Sequence, residues 1–204
     1  VISDGKHVTP FEATQDHKTV FDGGAGPNTG GMGAYCDGRI LRPQDTQRIL
    51  DTIIQPAVAS TGFTGFLYAG LMMTADGPRV IEFNVRLGDP ETQPLMHRLQ
   101  GGFGDALYRA ARGNLKDVTL HWKPEPSVCV VLAAAGYPGR VRTGDAITGI
   151  DAAESAPGVQ VFHAGTKAGA TGLETASGRV LGVTASGPDL AAAVHNTYKA
   201  VECI

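Results

Sequence analysis

Apolar and polar residues alternate strictly through Val80-Ile81-Glu82-Phe83-Asn84-Val85-Arg86-Leu87. Side chains two apart on a strand share a face, so the pattern predicts a strand over 79–87. Ile81, Phe83, Val85 and Leu87 would face a core, with Glu82, Asn84 and Arg86 on the other side. A partner strand is expected over 65–73, joined through Thr74-Ala75-Asp76-Gly77-Pro78, which has the residues of a hairpin connection; Met72 and Met73 read as strand and core filler. Helical spacing takes over where Ile49, Ile53, Ile54 and Ala57 recur, predicting a helix over 43–60 with Pro43 in its first turn. A second helix is expected over 90–112, with Asp89 as N-cap, Pro90 first and Gly113-Asn114 beyond its end. At the start, residues 1–8 read as a strand already under way that turns tightly at Asp4-Gly5. Strands at 128–135, 159–163 and 179–185 and a closing helix over 188–201 complete the pattern.

The proline-punctuated segment Trp122-Lys123-Pro124-Glu125-Pro126 is the best boundary, dividing the chain into 1–121 and 122–204. With 204 residues, 42% hydrophobic and 18% charged, there is enough for one large or two small cores. A net charge of -3 without any Lys/Arg run excludes a nucleic-acid-binding surface but leaves small anionic substrates open. Cys36, Cys129 and Cys203 are too few and too far apart for a disulfide framework or a zinc site, so a reducing, cytoplasmic setting is expected. No apolar run approaches the ~20 residues of a membrane span. The abrupt start, without an initiator Met, reads as a fragment.

The polar row on 79–87 carries the most chemistry. Glu82 and Asn84 offer the hard oxygen ligands that Mg²⁺ takes when it also holds nucleotide phosphates, and Arg86 has the fork to clamp a phosphoryl group. The same residues also describe an edge strand with a solvated polar face. Gly26-Pro27-Asn28-Thr29-Gly30-Gly31-Met32-Gly33-Ala34-Tyr35 is too glycine-rich for a simple turn. It fits a backbone cradle for an oxyanion or phosphate, or else a flexible surface loop; no Gly-Lys-Ser/Thr follows to make it a P-loop. Asp16, His17 and Lys18 cluster three titratable groups, for which a solvated turn is the commoner explanation. Lys167, after His163-Ala164-Gly165-Thr166, and Arg179, after Gly178, stand at facing hairpin bases that hold a phosphate or are solvated. Residues 168–177 form the hairpin tip.

These segments, with Gln15-Asp16-His17-Lys18, Gly65-Phe66-Leu67-Tyr68-Ala69-Gly70-Leu71-Met72, the run from Glu82 through Gly88-Asp89-Pro90-Glu91 to Gln93, and Gly136-Tyr137-Pro138-Gly139, closely resemble the glycinamide ribonucleotide synthetase (phosphoribosylamine–glycine ligase) family in order and spacing. The resemblance spans nearly the whole chain. It implies an α+β fold: an ATP-grasp subdomain of antiparallel sheet with helices, followed by a small α/β C-terminal domain. It also implies an enzyme of de novo purine synthesis. In that family ATP phosphorylates the glycine carboxylate and the amine of 5-phosphoribosylamine attacks the glycyl phosphate.

On the resemblance, Glu82 and Asn84 are ligands of Mg²⁺ (or Mn²⁺), with ATP as co-substrate, and Arg86 steadies the transferred phosphoryl as negative charge develops. Asp16, Asn28, Thr29, Gly30, Gly31, Asp89, Pro90 and Glu91 would shape the glycine and phosphoribosylamine site. His163, Thr166, Lys167 and Arg179 would receive the ribose phosphate. The family's N-terminal domain and adenine-gripping subdomain have no counterpart here, so the chain on its own is expected to be inactive, with the missing N-terminal portion of the same enzyme as its partner. Ser177 stands where the family usually has glycine, and Val85 and Leu87 where Cys and Phe are common. The alternatives are a non-catalytic folded fragment that binds phosphate or Mg²⁺, and a different ATP-grasp ligase of the purine pathway.

Overall fold

The Asp4-Gly5 turn closes the expected first hairpin, pairing Ile2 with Thr9 and Ser3 with Val8. The computed structural model describes residues 1–204, which divide into two compact units, each assembled from separate stretches of chain.

The first unit comprises Val1–Ala13, Gly38–Gly88 and Leu99–Lys123. Its opening turn is fixed by Asp4, whose carboxylate accepts the N–H groups of Lys6 and His7 and, from far along the chain, that of Leu115 at 2.8 Å. Ile2 packs there with Ala106, Ala110, Leu115 and Leu120. The helix expected over 43–60 is present as Pro43–Ile49 and Gln55–Thr61, with a widened π turn, Leu50–Ile54, between them. Pro56 explains the widening: it has no N–H for the Thr52 carbonyl, and its ring crowds that turn. Gly62, at φ 63°, ends the helix in the left-handed conformation suited to glycine.

The strand expected over 65–73 is two strands. Thr64–Phe66 pairs with Ile2–Asp4, and Tyr68–Thr74 pairs with Gly77–Asn84. Leu67 separates them by turning inward to join Ile49, Ile54 and Val58 in a core cluster.

The expected single helix over 90–112 is also divided. Thr92–Arg98 belongs to the second unit and Phe103–Ala111 to the first. Between them Leu99–Gly101 is a short strand on His121–Trp122, and Gly102 sits at φ +86°, where a Cβ would run into the Thr119 carbonyl oxygen. Asp89 is not a helix N-cap, because its carboxylate is occupied by Arg179 and Gln93.

The second unit comprises Thr14–Asp37, Asp89–Arg98 and Pro124–Ile204. Its centre is a five-stranded antiparallel sheet in the order Gln160–His163, Arg179–Ser186, Ser127–Ala133, Gly33–Cys36, Thr14–Asp16. Val161, Leu181, Val183, Ala185 and Ala200 form its core, the last from helix Leu190–Val201, which Asp189 caps by accepting from the Ala192 N–H at 2.8 Å. The glycine-rich segment is more regular than a loop: Ala25–Asn28 pairs with Thr19–Phe21 before Gly33–Cys36 enters the sheet. All three cysteines are free, and no helix is long and apolar enough to cross a membrane.

Candidate active site

In the first unit, the Tyr68–Thr74/Gly77–Asn84 ribbon presents two unlike faces. Ala69 and Leu71 pack on the Ile49/Ile54/Val58 cluster. Opposite residues of an antiparallel pair share a face, so Glu82 beside Gly70 and Asn84 beside Tyr68 lie on the other side. Gly70 leaves the space Glu82 occupies: a Cβ there would come within 3.2 Å of the Glu82 Cγ. A carboxylate and an amide oxygen therefore stand together on one open face.

Two expectations fail here. The strand ends at Asn84, not Leu87, because its partner begins at Tyr68 and Leu67 has already turned into the core. Arg86 is thus off the strand, its guanidinium donating to the Leu87 carbonyl at 2.9 Å. The presumed core face is also open, with Ile81 64% and Val85 72% exposed, and Met72 and Met73 are exposed as well. Within this ribbon only Ala69 and Leu71 join that cluster, and a bulge between Gly70 and Leu71 leaves Ile81 without a directly opposed residue.

In the second unit, four motifs that are far apart in sequence meet. Arg179 Nη1 donates to the Gly30 carbonyl at 3.0 Å and the Asp89 carbonyl at 2.7 Å, and Nη2 to Asp89 Oδ2 at 2.8 Å. The Gly30 N–H donates to the Tyr137 hydroxyl at 3.1 Å. Gly31, at φ +119°, lies so close to Pro90 that a Cβ would stand 2.5 Å from its Cδ. Thr29 anchors the loop: its N–H and hydroxyl both donate to the Lys18 carbonyl, and its oxygen accepts the Gly31 N–H. Glu91 is buried just before helix Thr92–Arg98. Asn28 is exposed opposite Thr19.

Asp16, on the edge strand, pairs with Lys18 at 3.0 Å. His163 Nδ1 is 3.1 Å from the Thr166 hydroxyl, and Lys167 pairs with Glu174 at 3.7 Å. Lys167 and Arg179, expected to hold a phosphate or to be solvated, thus each have a carboxylate partner. The Gly-Tyr-Pro-Gly pattern signals a turn at Tyr137 but not what its side chain will meet. Burial pushes the Cys129 thiol up to about 11 and, with Asp37 nearby, that of Cys36 up to about 12, which favours the neutral thiol in both.

Residues 1–92 match the family described as phosphoribosylglycinamide synthetase, ATP-grasp (A) domain, and residues 127–204 match the C domain of the same synthetase. The chain belongs to the phosphoribosylglycinamide synthetase family. Its sequence is 47% identical over 207 residues to the phosphoribosylamine–glycine ligase of Allochromatium vinosum, covering 98% of this chain and 48% of that protein. The crystal structure of the Thermotoga maritima ligase superposes with a TM-score of 0.84 at 33% identity, covering 98% of this chain and 50% of that one. N5-carboxyaminoimidazole ribonucleotide synthetase from the same organism shares the fold alone, with a TM-score of 0.58 at 18% identity over 84% of this chain and 44% of that one. The chain spans about half the length of the curated relatives it matches. The mixed helix and antiparallel-sheet architecture expected from the sequence is that of these ATP-grasp proteins.

Proposed function

We propose that this chain is the part of a phosphoribosylamine–glycine ligase that carries the metal-bearing strand and the substrate loop. The observation that supports this best is the pairing of Glu82 and Asn84 on one open strand face beside Gly70, within the segment that matches the synthetase ATP-grasp domain. Two oxygen donors of this kind suit Mg²⁺, which commonly keeps several waters and shares substrate phosphates instead of occupying an all-protein cage. When bound, the ion would neutralise charge on the transferring phosphoryl group.

The chain's own residues divide the remaining work. Glu82 and Asn84 would hold and orient the ion, and Arg86, beyond the end of the strand, is the cation for the phosphoryl or the glycyl phosphate. The 28–31 loop, Asp16, and Asp89, Pro90 and Glu91 shape the glycine and amine sites, where donors and acceptors hold the reacting groups in register. His163, Thr166 and Lys167 are placed for the ribose phosphate, with Arg179 acting through Asp89 and Gly30. The cytoplasm is the proposed compartment, on the strength of three free cysteines.

The test uses the family-length protein that carries these residues. It should form ADP from ATP only when both glycine and phosphoribosylamine are supplied. Glu82→Gln and Asn84→Leu should each lower turnover by on the order of 100-fold or more and raise the Mg²⁺ requirement, with thermal unfolding unchanged. A normal rate and normal Mg²⁺ dependence in both variants would reduce the pair to a solvated strand face.

A further inference from the structure

The ligase reading assigns work to the glycine loop and to the Asp89–Glu91 turn without saying what holds one against the other. Gly30 is gripped through both of its backbone groups: its N–H donates to the Tyr137 hydroxyl at 3.1 Å, and its carbonyl accepts from Arg179 Nη1 at 3.0 Å. The same guanidinium makes two bonds to Asp89, at 2.7 and 2.8 Å, so one side chain ties loop to turn. Asp89 is held from its other side by Gln93 Nε2 at 3.2 Å.

Tyr137 and Arg179 are themselves coupled. The tyrosine ring lies against Gly178, where any Cβ would overlap it, and Gly178 is the residue that precedes Arg179. The Arg179 side chain is 23% exposed, less than half the exposure of its Asp89 partner. A guanidinium already forked on a carboxylate and two carbonyls would have to give up those bonds to bind a phosphate.

We propose that Tyr137 and Arg179 are positioning residues that clasp the Gly30 backbone and fix the glycine loop on the Asp89–Pro90 turn, so that loop and turn, not the arginine, touch substrate. The clasp stands on geometry alone; its consequence for turnover rests on the ligase reading. Tyr137→Phe removes one hydroxyl and no charge. Arg179→Lys keeps the charge but loses the fork.

The experiment has two arms. In the 204-residue chain, amide hydrogen exchange at Gly30 should be about tenfold faster in Tyr137→Phe, while that of Val183 in the sheet stays unchanged. In the family-length protein, both single variants should lower kcat about tenfold with the KM for ATP unmoved, and the double variant should be no worse than the poorer single, because both act through the one residue, Gly30. Unchanged Gly30 exchange would overturn the clasp. So would a rise in the KM for phosphoribosylamine confined to Arg179→Lys, which would make the arginine a direct phosphate ligand. Faster exchange with normal kinetics would overturn the positioning role while leaving the ligase reading intact. A family-length protein with no glycine-dependent ADP formation would sink the ligase reading, and the exchange arm would still decide the clasp.

Discussion

Asp4 shows how much one residue can hold when its partners are backbone. Its side chain is 1% exposed and shares a 3.1 Å contact with His7 Nδ1. Burial works against the charge, but the N–H groups of His7, Leu115 and Lys6 outweigh it and hold the carboxyl well below its ordinary value of 3.8. A lowered folded value means the stabilisation is complete above the unfolded value near 4 and is lost as pH falls through the folded one. Asp4→Ala also strands the Leu115 N–H away from water, at a cost of about 1–3 kcal/mol. Urea unfolding should therefore show the variant less stable by at least that amount at pH 7, with the part that the charge adds fading as pH falls below 4. A gap that stays constant across the acid range would mean the charge contributes nothing.

Elements were legible in the sequence where periodicity was local and unclear where a distant partner decided the outcome. The Asp4-Gly5 hairpin, three of the five sheet strands of the second unit (Ser127–Ala133, Gln160–His163 and Arg179–Ser186) and helix Leu190–Val201 carry their own turn residues, caps and spacing, whereas Thr14–Asp16 and Gly33–Cys36 read as a charged turn and a glycine-rich loop. The division of residues 90–112 into two helices does not announce itself in this way, because Gln100-Gly101-Gly102 is tolerable in a helical pattern until Thr119 claims the space beside Gly102. Gly102→Ala should cost about 1–3 kcal/mol in thermal unfolding, through positive φ and collision with that carbonyl. Gly104→Ala, inside helix Phe103–Ala111 with open space at its Cβ, should instead stabilise by up to about 1 kcal/mol. Equal effects at the two sites would remove the argument for the break. The candidate site divides in the same way. Glu82 and Asn84 could be read from alternation, whereas the partners of Arg179 could not, since Gly30 and Asp89 lie 149 and 90 residues away in sequence.

Over the whole molecule, an open strand face with two metal-ligand candidates does not by itself make a ligase. The chain spans about half the length of its relatives, and Ile81, Phe83 and Val85 lie exposed on the segment that carries Glu82 and Asn84. Incubated alone with ATP, Mg²⁺, glycine and phosphoribosylamine, it should release no phosphate above background. Clear glycine-dependent release would show that these 204 residues suffice. The order of the central sheet has a further consequence, for synthesis. Ser127–Ala133 lies between Gly33–Cys36 and Arg179–Ser186, so strands made early must wait for a neighbour made late. On the ribosome, Thr14–Asp16 and Gly33–Cys36 emerge as a bare two-stranded ribbon whose inner edge is free to recruit any passing strand until residue 127 arrives. A stall between those points would leave a nascent chain prone to aggregate, well before any substrate site exists to protect.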